Sequence, residues 1–157
     1  MHNLTEVKVA IIKIKFARYV ETLAQYVMKS KSPEDPVWTY NCYEKCVADD
    51  FDTVRSVHGG RGEVNVIHVM QSWNEAESNT LTPEEFNAMG RALTAQYFPE
   101  HAYAVVTHTD TPKIHNHILV CPWNSDTGKK VENKKYHLYK LREISDRPVP
   151  GSGIIGH

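Results

Sequence analysis

His108-Thr109-Asp110-Thr111-Pro112-Lys113-Ile114-His115-Asn116-His117-Ile118-Leu119-Val120 gathers three imidazoles and a carboxylate into thirteen residues. Val105 to Thr107 before it and Ile118 to Val120 at its end are apolar and β-branched, whereas Thr109 to Lys113 is polar and holds a proline. That pattern predicts two antiparallel strands joined by a short turn. Side chains alternate along a strand, so His115 and His117 share one face and Asn116 takes the other. Closing the hairpin brings His108 alongside them. Three neutral imidazoles converging from two paired strands make a site for a divalent cation, with positions left for substrate or water. Asp110, in the turn, is expected to orient one ring as an acceptor or to act as a base. The polar, solvated face of a hairpin is the other reading of the same pattern.

Working outward, 157 residues with 41% hydrophobic and 24% charged side chains are enough for one domain with a core. No apolar run approaches the roughly 18 residues of a membrane span, and Met1 to Lys15 lacks a signal-peptide pattern. A cytoplasmic location is expected. Cys42, Cys46 and Cys121 fit a reducing compartment, with Cys42 and Cys46 as thiols rather than half of a zinc site. The net charge of −1 conceals an uneven distribution. Residues 1–30 carry five Lys or Arg against two acids, 31–104 five against twelve, and 105–157 eight against five. If the two basic ends meet in space, they form a cationic face with the acidic helices turned away.

Val7 to Phe16 is a β-rich run expected as a central, largely buried strand. Arg18 to Lys29 places Val20, Leu23, Ala24 and Val27 at helical spacing and carries Tyr19 and Tyr26. A polar loop to Pro36 follows, then a helix over Tyr43 to Val57. His58-Gly-Gly-Arg-Gly62 reads as a linker. A second strand is expected over Glu63 to Trp73. Thr82-Pro83-Glu84-Glu85 announces a capped helix whose Phe86, Met89, Leu93 and Tyr97 form an apolar stripe, with Gly90 on another side, read either as a cost of about 1 kcal/mol relative to Ala or as room for close packing on the sheet. The histidine strands span 102–109 and 114–122, and a last helix begins at Tyr139. Lys113 in the histidine turn and Lys129, Lys130, Lys134 and Lys135 in a basic stretch are candidate contacts to a phosphate backbone, or a solvated loop. The element order predicts an α+β domain, a four- or five-stranded antiparallel sheet with flanking helices that cover one side.

The histidine segment, with its seven-residue step from His108 to His115 followed by His-Asn-His, resembles the third motif of MobP-like and VirD2-like conjugative relaxases. These are HUH endonucleases, in which U is usually hydrophobic and here is Asn116. Ile67-His68-Val-Met-Gln71-Ser72-Trp73 is similar to the strand H-F-V-Q-S-F of that family, and Leu81 to Glu85 to the start of its next helix. Asn41-Cys42 is similar to its G-x-N-C element. Asp126 to Lys130, Tyr136-His137 and Leu141 to Asp146 are similar to the segment that closes its core. The resemblance covers roughly residues 7–147, a relaxase catalytic domain, and leaves 148–157 as a Pro/Gly-rich tail.

The resemblance implies a ferredoxin-like palm with the histidines on central strands. It implies that a tyrosine from the first helix attacks single-stranded DNA at an origin of transfer, giving a 5′-phosphotyrosyl enzyme and a free 3′-OH. Tyr26, in Leu23-Ala-Gln-Tyr26-Val27, matches the family pattern better than Tyr19. Since a tyrosine phenol titrates near 10, metal proximity or a base such as Asp110 or His68 is expected to help remove its proton. His108, His115 and His117 are the implied metal ligands, with Mg2+ or Mn2+ the implied ion, although three imidazoles alone also suit Zn2+ or Ni2+. His137 is a candidate phosphate contact. Accessory relaxosome proteins are further partners that the resemblance allows. A rolling-circle replication initiator and a non-catalytic, C-terminally truncated relaxase remnant are the alternative readings.

Overall fold

The computed structural model describes residues 9–29 and 31–147. Residues 7 and 8 of the expected first strand and the tail from 148 onward lie outside the described residues. Strand β1 (Ile11–Ala17) leads into helix α1 (Val20–Lys29), then β2 (Val37–Tyr40), a 3-10 turn at Glu44–Cys46, α2 (Val47–Val57) and β3 (Val66–Ser72). The short α3 (Glu75–Ser78), α4 (Pro83–Tyr97), β4 (His101–His108), β5 (His115–Asn124) and α5 (Tyr136–Ser145) complete the order. The strands form one antiparallel sheet in the order β1-β3-β5-β4-β2. The result is an α+β fold consistent with the expected palm. None of the described helices is long and apolar enough to cross a membrane.

Two expectations change. β1, expected at the centre, is an edge strand. Its outward residues Ile11, Lys13 and Lys15 are exposed while Ile12 is buried, so its apolar character serves one face only. The sheet, expected to be covered on one side, is covered on both. Ile67, Val69, Val105, Ile118 and Val120 pack beneath Phe86 and Leu93 of α4 and Leu141 of α5. On the opposite face Val66, Ala104, Val106 and Leu119 pack beneath Ala24 and Val27 of α1 and Val47 and Phe51 of α2. A strand that is buried at every position, as β4 is, and apolar at successive positions from Ala102 to Val106, is what a sheet clothed on both faces requires. Each fully buried side chain of this size contributes about 1.5–3 kcal/mol.

The capped helix forms as expected. Thr82 Oγ1 accepts from the Glu85 backbone N–H while the Glu85 carboxylate accepts from that of Thr82. Gly90 lies against the sheet as expected: a Cβ there would sit 2.7 Å from Asn116 Nδ2 and 2.9 Å from Val105 Cγ1. That close approach lets α4 cover a buried polar chain running across the sheet. Asn87 Nδ2 donates to Thr107 Oγ1 (3.1 Å), Thr107 Oγ1 donates to Asn116 Oδ1 (2.6 Å), and Asn116 Nδ2 donates to Gln71 Oε1 (3.0 Å) and to the Phe86 carbonyl (2.9 Å). Gln71 Nε2 then donates to Ser145 Oγ at 3.2 Å, which brings in α5. Asn116, at 0% exposure, is thus fully satisfied, and the chain ties together the strands that carry the histidines on the other face.

Candidate functional site

In the β4–β5 ladder His108 stands directly opposite His115, with His117 two residues farther along β5. All three point to the face covered by α1. Their ring centroids are 5.0, 4.4 and 5.1 Å apart, and one nitrogen from each lies within 4.8 Å of the others. Among the described residues this is the one cluster of three or more His, Cys or carboxylate groups placed to hold a cation.

Each ring makes a hydrogen bond through one nitrogen, which leaves the other available to the cluster. His108 Nε2 donates to the Val27 carbonyl at 2.9 Å, and His115 Nδ1 donates to the Lys113 carbonyl at 3.1 Å. A carbonyl can only accept, so these bonds set both tautomers and leave lone pairs on His108 Nδ1 and His115 Nε2. His117 Nδ1 is 2.9 Å from His68 Nε2. Burial pulls the His117 imidazole down to about 3, with the neighbouring His108, His68 and His115 rings adding to it, and burial likewise lowers His108. Both are therefore neutral near pH 7, the form in which imidazole binds a metal. The donor set, three imidazole nitrogens converging from two strands, fits a divalent cation.

The backbone places the two candidate tyrosines at different points, Tyr19 immediately before α1 and Tyr26 within it. β1 begins opposite Ser72, which pairs with His115, and ends opposite Val66 at the other end of the sheet. α1 then runs back toward the histidines, and its Val27 carbonyl, among the last four that a helix leaves unpaired, accepts from His108. Tyr26 therefore lies on the last turns of the helix at the histidine end, with 61% of its surface exposed. Tyr19 is equally exposed but lies seven residues back, about 10 Å along the axis at about 1.5 Å per residue, and its ring carries the Arg18 guanidinium at 5.5 Å.

The remaining expected residues divide. Asp110 is exposed on the turn and its charge reaches His108, yet among the described residues it bonds to none of the three rings; the carbonyls of Val27 and Lys113 and the ring of His68 take the orienting role expected of it. Lys113 is on the same turn. Lys129 and Lys130 follow the far end of β5, about 30 Å from His115 at roughly 3.3 Å per residue. Lys130 is engaged there, donating to the Arg61 carbonyl (2.8 Å) with its ammonium 4.8 Å from the Trp123 ring centre. Lys134 and Lys135 are exposed just ahead of α5, whose first turn lies by Phe16 near the end of β1 remote from the histidines. His137 is corrected outright. It is buried, with Nδ1 2.7 Å from the Tyr97 hydroxyl and Nε2 2.9 Å from the Glu132 carbonyl, so it pins α5 to α4 rather than meeting phosphate.

Sequence reasoning missed three contributors. Asp35, buried in the loop between α1 and β2, accepts from the Ser32 backbone (2.8 Å) and from Thr109 Oγ1 (2.6 Å), clamping that loop onto the residue after His108. Its place in a proline-bearing polar loop gave no sign of burial. Lys13 and Lys15 pair with Met70 and His68 and so share the histidine face, exposed and, among the described residues, without an ion pair. Strand alternation could have found them once β1 was known to be an edge. Helix α5 packs on β1 from the face opposite the histidines, and α2 with Asp49 and Asp50 packs on the histidine face, so these elements do not build the expected cationic face with the acidic helices turned away.

Comparison with known proteins bears on this arrangement. A family model described as "Relaxase: MobA/VirD2-like, nuclease domain" matches residues 26–148. A "Protein rlx" from Staphylococcus aureus is 36% identical over 107 residues, 68% of this chain and 31% of that protein. A second from the same organism is 34% identical over 114 residues, 73% of this chain and 35% of its own length. The "Group II intron-interrupted relaxase LtrB" of Lactococcus lactis subsp. cremoris (strain MG1363) is 34% identical over 68 residues, 43% of this chain and 12% of that protein. The chain thus spans about a third of the length of the two rlx proteins.

Proposed function

This chain belongs to the MobA/VirD2-like relaxases, matching their nuclease domain over residues 26–148, and on that premise we propose that it nicks and rejoins single-stranded DNA at an origin of transfer. The observation that carries the proposal is the convergence of His108, His115 and His117 beside the end of α1 that bears Tyr26. His108, His115 and His117 would hold a divalent cation, Mg2+ or Mn2+. When bound, that ion supplies Lewis-acid polarisation of the scissile phosphate's non-bridging oxygens.

The residues of the chain do the rest. The Tyr26 hydroxyl attacks phosphorus, the bond to the 3′ oxygen breaks, and a 5′-phosphotyrosyl link and a free 3′-OH result. Asp110 takes the phenolic proton. His68, buried and with Nε2 engaged by His117, is poorly placed to do so. The leaving 3′ oxygen takes up a proton, and the reverse sequence reseals the strand. One phosphodiester replaces another, so no nucleotide cofactor is needed. Lys113, Lys13 and Lys15 line the approach to the histidines and receive phosphates; Lys129, Lys134 and Lys135 reach only DNA that extends along the sheet. Initiation of plasmid or transposon mobilisation, with accessory relaxosome proteins as partners, is the biological setting proposed.

The test is incubation with a supercoiled plasmid carrying the cognate origin, with and without Mn2+. A nicked plasmid bearing denaturation-resistant protein, formed only with the ion, supports the reading. DNA or Mn2+ binding without any adduct would identify a non-catalytic remnant, and nicking confined to a replication origin a rolling-circle initiator.

A further inference from the structure

We propose that His68 is a positioning residue that sets the tautomer of His117, its Nε2 accepting the Nδ1–H of His117 so that the His117 Nε2 lone pair faces His108 and His115. The inference rests on the reading of the three histidines as metal ligands and names a residue that works through one of them.

The problem His68 solves is specific to His117. The rings of His108 and His115 each find a backbone carbonyl as acceptor, one at the end of a helix and one in a turn. His117 has neither within reach of its Nδ1. It lies inside β5, the middle strand of five, where the neighbouring carbonyls of β3 and β4 serve the ladders. A neutral imidazole in water favours the Nε2–H form, and a proton on Nε2 would remove the lone pair that the cluster needs. An acceptor at Nδ1 must therefore come from a side chain.

His68 supplies it from the adjacent strand. It pairs with Leu119, two residues beyond His117, so its ring reaches diagonally across the β3–β5 ladder and stacks on that of His117, with centroids 5.1 Å apart and planes 20° from parallel. The 2.9 Å contact between the nitrogens allows only one proton. If it belonged to His68 Nε2, His117 would carry its own proton on Nε2 and face the other rings with a donor. The polarity that leaves three lone pairs converging requires a neutral His68 protonated on Nδ1. Its surroundings suit that state: His68 is buried, at 8% exposure, and Lys15 stands directly opposite it on β1.

The experiment reads tautomers directly, in the metal-free protein, by two-bond 15N–1H correlation spectra of 15N-histidine-labelled chain, with the His117 signals identified by their loss in His117→Gln. The wild type should show His117 as Nδ1–H. His68→Gln, whose amide oxygen can accept at about the position of Nε2, should keep that form, and His68→Leu should shift it to Nε2–H. Mn2+ titration calorimetry should follow the same order, with affinity lost roughly 10- to 100-fold in His68→Leu and largely restored in His68→Gln. A wild-type His117 protonated on Nε2, or an unchanged tautomer and Mn2+ affinity in His68→Leu, would overturn the inference. Should His68→Leu fail to fold, the wild-type spectrum decides alone. A wild type with the Nδ1–H form that binds no Mn2+ would sink the metal reading while leaving the assignment of His68 standing.

Discussion

The imidazole of His108 donates from Nε2 to the carbonyl of Val27 at 2.9 Å, and the residue before Val27 is Tyr26. One hydrogen bond therefore joins a ring of the candidate cation site to the helix that presents the proposed nucleophile, and sets which nitrogen of that ring is left for a cation. Replacing His108 by Ala should cost at least tenfold in Mn2+ affinity by calorimetry, since it removes a ligand. It should also loosen the end of α1, seen as faster amide hydrogen exchange over residues 24–29 than in His115→Ala, which removes a ligand but leaves the helix contact intact. Equal exchange in the two variants would break the proposed coupling.

The polar chain beneath the site makes a stability prediction. Asn116→Leu restores the hydrophobic character usual between the two histidines, yet here it should destabilise by about 2–4 kcal/mol in urea unfolding, because the Gln71 amide, the Thr107 hydroxyl and the Phe86 carbonyl lose buried partners. Gly90→Ala gains roughly 1 kcal/mol of helix propensity but places a methyl 2.7 Å from Asn116 Nδ2. The clash should win, with a net loss of about 1–2 kcal/mol. A gain in either variant would mean that α4 lies farther from the sheet than described.

Much of this was legible in the sequence. The hairpin from 105 to 120 could be read because alternation around His115-Asn116-His117 and a proline turn leave little choice of register. The helix at Pro83 was announced by its cap. β2 escaped notice because Val37–Tyr40 is four residues long and follows a proline. The orienting partners of the rings were hidden for a different reason: Val27 and Lys113 act through carbonyls, which every residue has, and His68 acts across 49 positions of sequence. Proximity in sequence favoured Asp110 instead.

Acid should weaken the metal-free fold over a defined range. His68 and His117 are pulled down to about 4 and 3 by burial, against an ordinary value of about 6.5, and His101 is lowered by burial as well. Between the folded and unfolded values the unfolded chain binds more protons, so stability rises with pH there and is lost as pH falls from about 6.5 toward 4. Tm measured in a chelating buffer should be flat above pH 7 and drop steadily below 6.5. His68→Gln should reduce the slope. A Tm unchanged down to pH 4 would show these rings to be solvated.

Lys13 and Lys15 give a test of the DNA path. Their exposure on the histidine face predicts that Lys13→Gln/Lys15→Gln weakens single-stranded oligonucleotide binding and flattens its dependence on log salt by about 0.7 for each phosphate no longer neutralised, as followed by fluorescence anisotropy. Lys130→Gln, already engaged by Arg61 and Trp123, should leave the salt slope unchanged and lower Tm instead. The reverse pattern would move the path to the other end of the sheet.

The most direct measurement is the site of DNA attachment. After reaction with a cognate single strand and Mn2+, the adduct is digested with nuclease and protease and the phosphonucleotide-bearing peptide is sequenced by mass spectrometry. The account predicts attachment through the phenolic oxygen of Tyr26, a yield abolished in Tyr26→Phe with stability within about 0.5 kcal/mol of wild type, and a normal yield in Tyr19→Phe. Attachment at Tyr19 or any other residue, or an undiminished yield in Tyr26→Phe, would contradict it.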